Sequence, residues 1–264
     1  TILSANRIPK PSLSLRTRSV SELMEKEPIK AREMIRPNLP APHGKKRIVI
    51  TGGAGFIGIN LVKRLLAEGN QVIVLDNMIS ANKEFHAIFR NEPNLYFKQW
   101  DVSEPFEVEG PVDEVLHLAS LASPPDYYGR PLETLRAGLH GTREVVELAH
   151  RKKARFLFTS TSEVYGDAKV HPQPETYEGN VSPFLKRSQY AQSKRGGETF
   201  LKLFNAQHAG EGLDIRIVRI FNTYGPFMRI NDGRVITNFI DKVLKGEPIQ
   251  IYGNKEITRS FGYV

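Results

Sequence analysis

The run "RIVIT", residues 47–51, leads directly into "GGAGFIG" and then "INLVKRLLAEG". A short β-branched apolar run bounded by glycines reads as a buried strand. The apolar residues after Gly55 recur at helical spacing until Gly69 stops them. Gly52, Gly55 and Gly58 stand between the two segments at the spacing G-x-x-G-x-x-G. In that context the glycines permit a tight strand-to-helix turn and let the backbone approach a pyrophosphate. The helix start adds free N–H groups and partial positive charge. A nucleoside-triphosphate loop would need Lys and Ser or Thr after its last glycine, but Ile59 and Asn60 follow Gly58.

The next strand, "QVIVLD", ends on Asp76, 18 residues beyond Gly58. An acidic residue about 20 positions on accepts hydrogen bonds from the adenosine ribose and repels a 2′-phosphate, which favours NAD over NADP. Asp101, after the third strand "NLYFKQWD", stands where a carboxylate meets the adenine amine or simply caps a strand end. "VDEVLHLAS", "ARFLFTSTS" and "LDIRIVRIFN" read as further strands. "LETLRAGLHGTREVVELAHRKK", "YAQSKRGGETFLKLFNAQHA" and "GRVITNFIDKVLKGE" read as helices, and "IQIYG" as a short strand. Strands alternating with helices specify an α/β, Rossmann-type doubly wound parallel sheet.

The expected organisation has three parts. Residues 1–44 are a basic, Pro- and Ser-rich flexible extension, with one helix near "SVSELMEKEPIKAREMI" at the capping-box spacing Ser19 to Glu22. Residues 45–225 are the dinucleotide-binding domain, with a substrate-loop insertion at about 170–189. Residues 226–264 are part of a smaller C-terminal substrate-binding domain. The chain opens at Thr1 without a methionine and closes in the strand-like "TRSFGYV", so a longer parent protein is expected.

Composition removes several alternatives. There is no cysteine, hence no disulfide, thiolate catalysis or Cys-based zinc site. No apolar run approaches the roughly 20 residues of a membrane helix, so no membrane partner is expected within this chain. The net charge of +8 suits anionic ligands or a solvated surface with a basic tail. "HRKKAR", residues 150–155, fits a helix C-terminus, and no nucleic-acid motif accompanies it. The seven histidines show no metal spacing, and no metal is expected. His117 reads as a packed strand residue.

"QYAQSKRGG" sets Tyr190 and Lys194 on one helix face, a phenol beside an ammonium that would favour the phenolate. The glycine turn, "TSTSEVYGD" and Tyr190-x-x-x-Lys194 occur in that order. Together they resemble the extended short-chain dehydrogenase/reductases that act on nucleotide sugars. Within that group the chain is similar to the UDP-glucuronic acid decarboxylases. "ITGGAGFIG", "LASPPDYY", "TSTSEVYGDAKVHPQPETYEGNVSP", "YAQSKR", "VRIFNTYGP", "NDGRV" and "TRSF" carry the likeness, from about residue 46 to the end. Thr161-Ser162-Glu163 discriminates best: 4,6-dehydratases usually show Thr-Asp-Glu there, and 4-epimerases lack the glutamate. The chain departs from the pattern at Gln189, Ala191 and Gln192, at Glu178, at Gly138 where asparagine is common, and at Phe227 where arginine is usual.

The resemblance implies NAD-dependent decarboxylation of UDP-glucuronate to UDP-xylose through a 4-keto sugar. Tyr190 would take the C4 hydroxyl proton as NAD accepts hydride. Lys194 would tune Tyr190 and hold the nicotinamide ribose. Thr161 would bond the same hydroxyl, and Glu163 would position the carboxylate or water and manage C5 protonation. The cofactor site would take in Gly52, Gly55, Phe56, Ile57 and Gly58, then Asp76, Asn77, Asp101 and Val102. Leu118, Ser120, Thr159, Tyr190, Lys194 and Thr223 would complete it. Arg234 and Arg259 would meet the UDP phosphates, with Arg136 and Gln207 as further substrate contacts. A homodimer is implied through the helices at 132–152 and 190–208. The compartment would be cytoplasmic, or the Golgi lumen for members with an N-terminal anchor. A 4,6-dehydratase, a 4-epimerase and a non-catalytic NAD-binding protein are the alternatives.

Overall fold

The computed structural model describes residues 31–40, 45–185, 187–251 and 258–264. In chain order the elements begin with β1 (Glu33–Ile35), β2 (Arg47–Thr51), α1 (Phe56–Ala67), β3 (Gln71–Asp76), α2 (Phe85–Ile88) and β4 (Leu95–Gln99). They continue with β5 (Phe106–Val108), β6 (Glu114–His117), α3 (Pro124–Gly129), α4 (Pro131–Arg136), α5 (Thr142–Lys152) and β7 (Arg155–Thr161). Then come α6 (Ser188–Gln207), β8 (Ile215–Ile220), β9 (Asn222–Tyr224), α7 (Val235–Leu244) and β10 (Phe261–Tyr263).

Six parallel strands form the sheet, in the order β4-β3-β2-β6-β7-β8. The chain winds outward from β2 to β4, then returns to β6 on the other side. That doubly wound order places a crevice between β2 and β6, where its direction reverses. Every residue of β2 and β3 is buried, as a sheet covered on both faces requires. Alternate side chains feed two cores. Ile48, Ile50, Val72 and Val74 pack with Ile59, Val62 and Phe85. Val49, Ile73, Leu75, Phe156 and Phe158 pack with Val145, Val146 and Leu148.

The long helix expected from residue 132 is present as α4 and α5, joined by one π-helical turn at Ala137–Gly141. The turn lies against α6. A Cβ added to Gly138 would fall 2.4 Å from Cβ of Ser193, and one on Gly196 would fall 2.5 Å from Leu139. The familiar asparagine could not occupy position 138 unless the backbones separated. Here small residues on both helices let them touch.

The chain differs from expectation before residue 45. Glu33–Ile35 pair in parallel with β5, and Ile35 is 2% exposed within the core. Arg32 donates to Glu144 at 2.9 Å and to Glu147 at 2.7 Å, while Gln71 donates to the Pro40 carbonyl. Within the expected flexible extension, residues 32–40 therefore join the fold. A three-residue strand is too short to show a period in sequence. Residues 1–30 and 41–44 lie outside the described residues, and with them most of the expected helix over 19–35; its last three residues, Glu33–Ile35, form β1 instead. Of the strand expected over 249–253, residues 249–251 have no regular structure and the rest lies outside the described residues. β10 instead pairs with β9.

Because Ile35 is a core residue, Ile35→Ala should lower the unfolding free energy by about 2–4 kcal/mol. Urea unfolding measures this, and an unchanged midpoint would return residues 33–35 to the extension.

Candidate active site

A cavity of about 420 Å³ opens at the crevice between β2 and β6. Its floor is the glycine turn. Gly52 has φ +73°, and a Cβ there would lie 2.6 Å from the Ala119 nitrogen. A Cβ on Gly58 would lie 2.4 Å from the Gly52 carbonyl oxygen. Only glycines let β2, the β6 loop and α1 approach this closely. The N-terminus of α1 has no side-chain cap and no acidic residue in its first turn. Its free N–H groups are suited to an anion. Ser120 Oγ, on the same wall, is buried and has no hydrogen-bond partner among the described residues.

Asp76 is 8% exposed and lines the cavity. Its Oδ2 accepts the Ala54 N–H at 3.0 Å and its Oδ1 the Met78 N–H at 2.9 Å. Burial raises its pKa, and these two bonds oppose the rise. Each oxygen keeps a lone pair for a ribose hydroxyl. These features fit a dinucleotide. Phe56, Ile57, Asn77, Val102, Leu118, Thr159 and Thr223 also line the cavity. Asp101 lines it too, but its Oδ1 is taken by the Ser103 N–H and hydroxyl, so the turn-capping reading holds as well.

His117 is fully buried, with Nδ1 2.7 Å from Thr51 Oγ1 and Nε2 3.3 Å from Thr142 Oγ1. The Thr142 hydroxyl donates to the Gly138 carbonyl, so it accepts from Nε2–H, and Thr51 donates to Nδ1. Burial, then the Lys194 charge, push the imidazole down to about 3. A neutral histidine with both nitrogens occupied is a linker and no base.

α6 brings Tyr190 and Lys194 to the cavity beside the end of β7. The Tyr190 ring stacks on Tyr127, with centroids 5.7 Å apart. Burial raises its pKa, while a hydrogen bond with Thr161 and the Arg234 charge lower it. Lys194 is 2% exposed and donates to the Thr159 carbonyl at 2.7 Å. Burial brings its ammonium down to about 7. Lys194 thus bonds β7, while Thr161 and the Arg234 charge act on the Tyr190 phenol. Thr161 Oγ1 also accepts the Glu163 N–H at 3.2 Å, starting the single turn that carries Glu163. Glu163 faces Arg187 Nη2 at 3.5 Å.

Arg234 and Arg259 line the cavity as expected. Arg234 lies 2.9 Å from Asp232, and Arg259 donates to the Thr258 carbonyl. Arg136 and Gln207 are not brought there. Arg136 is absent from the cavity lining and pairs with Glu104. Gln207 closes α6, about 25 Å from Tyr190 at 1.5 Å per residue. Sequence reasoning missed Tyr127, Asp126, Arg187 and Arg229, all on the cavity wall. Asp126 pairs with Arg229. "LASPPDYY" held Asp126 and Tyr127, and Arg229 stands two residues before "NDGRV". It also missed Asn60 and Asn82, whose amides hold the Pro226 and Phe227 carbonyls across the cavity rim.

The fold and its site define a dinucleotide-binding architecture with a Tyr–Lys pair and an arginine-lined second half. Residues 48–264 match the NAD dependent epimerase/dehydratase family, and the chain belongs to that family. It is 49% identical over 218 residues to UDP-glucuronic acid decarboxylase 4 of Arabidopsis thaliana, covering 83% of this chain and 48% of the relative. It is 46% identical to UDP-glucuronic acid decarboxylase 1 of Xenopus tropicalis, covering 83% of this chain and 51% of the relative. This chain thus spans about half the length of those curated relatives. Among solved structures, it is similar to a UDP-N-acetylglucosamine 4-epimerase from Methanobrevibacter ruminantium M1. That match has 33% identity and a TM-score of 0.70, and covers 83% of this chain and 69% of that one. The dTDP-glucose 4,6-dehydratase DesIV of Streptomyces venezuelae, solved with NAD bound, matches at 28% identity and a TM-score of 0.68. It covers 82% of this chain and 68% of that one. Among the described residues no helix is long and apolar enough to cross a membrane.

Lys194 titrates near 7 folded and near 10.5 unfolded, so between these values the folded protein binds fewer protons. Its charge costs stability in full below pH 7, and stability rises with pH across the window. Lys194→Met should stabilise the ligand-free protein by on the order of 2 kcal/mol at pH 6. The gain should shrink towards pH 10. Denaturant unfolding at both pH values checks this; a gain independent of pH would show that the ammonium is not desolvated.

Proposed function

We propose that this chain carries out NAD-dependent decarboxylation of UDP-glucuronate to UDP-xylose through a 4-keto intermediate. The observation that carries the reading is Glu163, held at the end of β7 on the same cavity wall as Tyr190 and faced by Arg187. The curated relatives are named for that activity. Asp76 and the open start of α1 would hold NAD. Residues 226–264 would form part of the substrate lobe.

NAD, when bound, would supply a reversible hydride acceptor for the sugar C4. Tyr190, with Thr161, holds the C4 hydroxyl proton and removes it as C4 is oxidised. Burial alone would make a poor base of this phenol, so the Thr161 bond and the Arg234 charge matter. Lys194 uses one N–H on Thr159 and keeps two for a ribose. The resulting β-keto acid breaks its C5–C6 bond. The electron pair moves into a C4 enolate, and C6 leaves as CO2. Glu163 manages the proton that C5 then takes. The substrate carboxylate arrives beside Glu163, so two anions would share the site without a cation. Arg187 supplies that charge. Arg234 and Arg259 would take the diphosphate through guanidinium forks.

A 4-epimerase or 4,6-dehydratase is the second reading, supported by the likeness to solved enzymes of those classes. Product mass after incubation with NAD and UDP-glucuronate separates the three. Loss of CO2 is expected; loss of water or an unchanged mass would overturn the reading. Tyr190→Phe should lower turnover by about 10²-fold or more while NAD binding persists. Retained turnover would remove Tyr190 from the chemistry.

The role of Arg187 has its own test. Arg187→Gln should raise KM for UDP-glucuronate about tenfold, as loss of one charge pair implies. Affinity for UDP-xylose, which lacks the carboxylate, should barely change. Equal losses for both ligands would assign Arg187 to the nucleotide instead. A homodimer is proposed through α4, α5 and α6, where Leu132 and Leu203 are 76% and 63% exposed.

A further inference from the structure

The far end of α6 carries a second constellation, distant from the cavity. His150 stands in the last turn of α5, His208 caps α6, and Glu211 follows in the next turn. One donor atom from each of His150, His208 and Glu211 can be chosen so that all three lie within 4.8 Å of one another. Glu211 touches both rings, at 2.6 Å from His150 and 3.0 Å from His208. The two imidazole centroids are 4.2 Å apart. Phe204 packs edge-on against His150 and lies against His208, which fixes both ring planes.

From this geometry we infer that His150, His208 and Glu211 form a binding site for one divalent transition-metal ion of the zinc class. Two imidazole nitrogens and one carboxylate are a zinc-type donor set, with water completing the tetrahedron. Bound ligand atoms in such a site lie about 3.4 Å apart. The contacts to Glu211 are already near that spacing. Glu211 itself is half-exposed and can follow the ion. The ion takes the lone pairs of Nε2 of His150 and Nδ1 of His208, and each neutral ring then carries its one proton on the other nitrogen. Two helix C-termini converge on the site, and their partial negative charge favours a cation. Asp214, the next acidic residue, is taken by Arg155 and Arg216 and does not join. Bound there, the ion staples the end of α5 to the end of the helix that carries Tyr190. The pairing is invisible to motif spacing, because 58 residues separate the two histidines.

The test is calorimetric titration of untagged, chelator-treated protein with zinc chloride. One ion per chain is expected, with magnesium failing to bind in the same range because it prefers an all-oxygen set. Glu211→Gln, a surface change that leaves the fold intact, should weaken zinc binding at least tenfold. His150→Ala with His208→Ala should abolish it, with retained NAD binding serving as the check on folding. Zinc should also raise the melting temperature of the parent protein and not of the double variant. Absence of saturable binding overturns the inference, as does binding that survives in the double variant.

Discussion

The contact between Gly52 and the Ala119 backbone is the constraint on which the rest of the structure depends. A Cβ at position 52 would meet the Ala119 nitrogen at 2.6 Å. Any other residue would push the glycine turn away from the loop after β6 and open the crevice. The consequences run further than the turn. Thr51, next to it, accepts weakly from the Ala119 N–H at 3.5 Å and bonds His117. His117 passes the connection to Thr142, and Thr142 to the carbonyl of Gly138. Gly138 lies against Ser193 on α6, one residue before Lys194. The glycine turn and the helix that carries Tyr190 and Lys194 are thus tied by one buried hydrogen-bond chain and one close approach.

That chain explains why the buried titratable groups take the states they do. His117 must be neutral, because one of its nitrogens has to accept and a charged ring cannot. The nearby Lys194 ammonium reinforces this. Lys194 in turn has the Thr159 carbonyl and the face of the Phe158 ring to offset its burial, and its pKa still falls. Behind it, Ser160 donates to Glu198, which Arg219 grips through two nitrogens while also reaching Tyr165. This network holds α6 to β7 and β8 by strong, charge-assisted bonds. The position of Tyr190 is set by that anchoring and by the Tyr127 ring beneath it.

The sheet, the glycine turn and the Tyr–Lys helix were legible because each rests on a local pattern. Uniformly apolar runs such as "RIVIT" and "QVIVLD" can only be buried parallel strands in this context. What escaped was non-local. β1 is three residues long and owes its place to β5, 73 positions away at Glu33–Phe106. Arg136 and Gln207 were assigned on residue type, and their helix geometry points them elsewhere. Arg187 and Arg229 gave no signal of their own, because an arginine in a loop looks the same whether it faces solvent or a cavity. Only the fold shows that their partners are Glu163 and Asp126.

Those partners matter for the proposed chemistry. An isolated guanidinium waiting on a cavity wall would be fully hydrated, and a substrate would have to strip it. Here Arg187, Arg229 and Arg234 are each held by a carboxylate, on Glu163, Asp126 and Asp232. Their forks are already oriented, and part of their water has been removed. An anionic substrate then competes with a protein carboxylate rather than with bulk solvent, which favours a ligand with negative groups at matching places. A diphosphate alone would meet Arg234 and Arg259 and leave Arg187 on Glu163. A uronate carboxylate would draw Arg187 away and leave Glu163 free beside C5. On the proposed reading, selection of the acidic sugar and release of the residue that handles its proton are one exchange of partners.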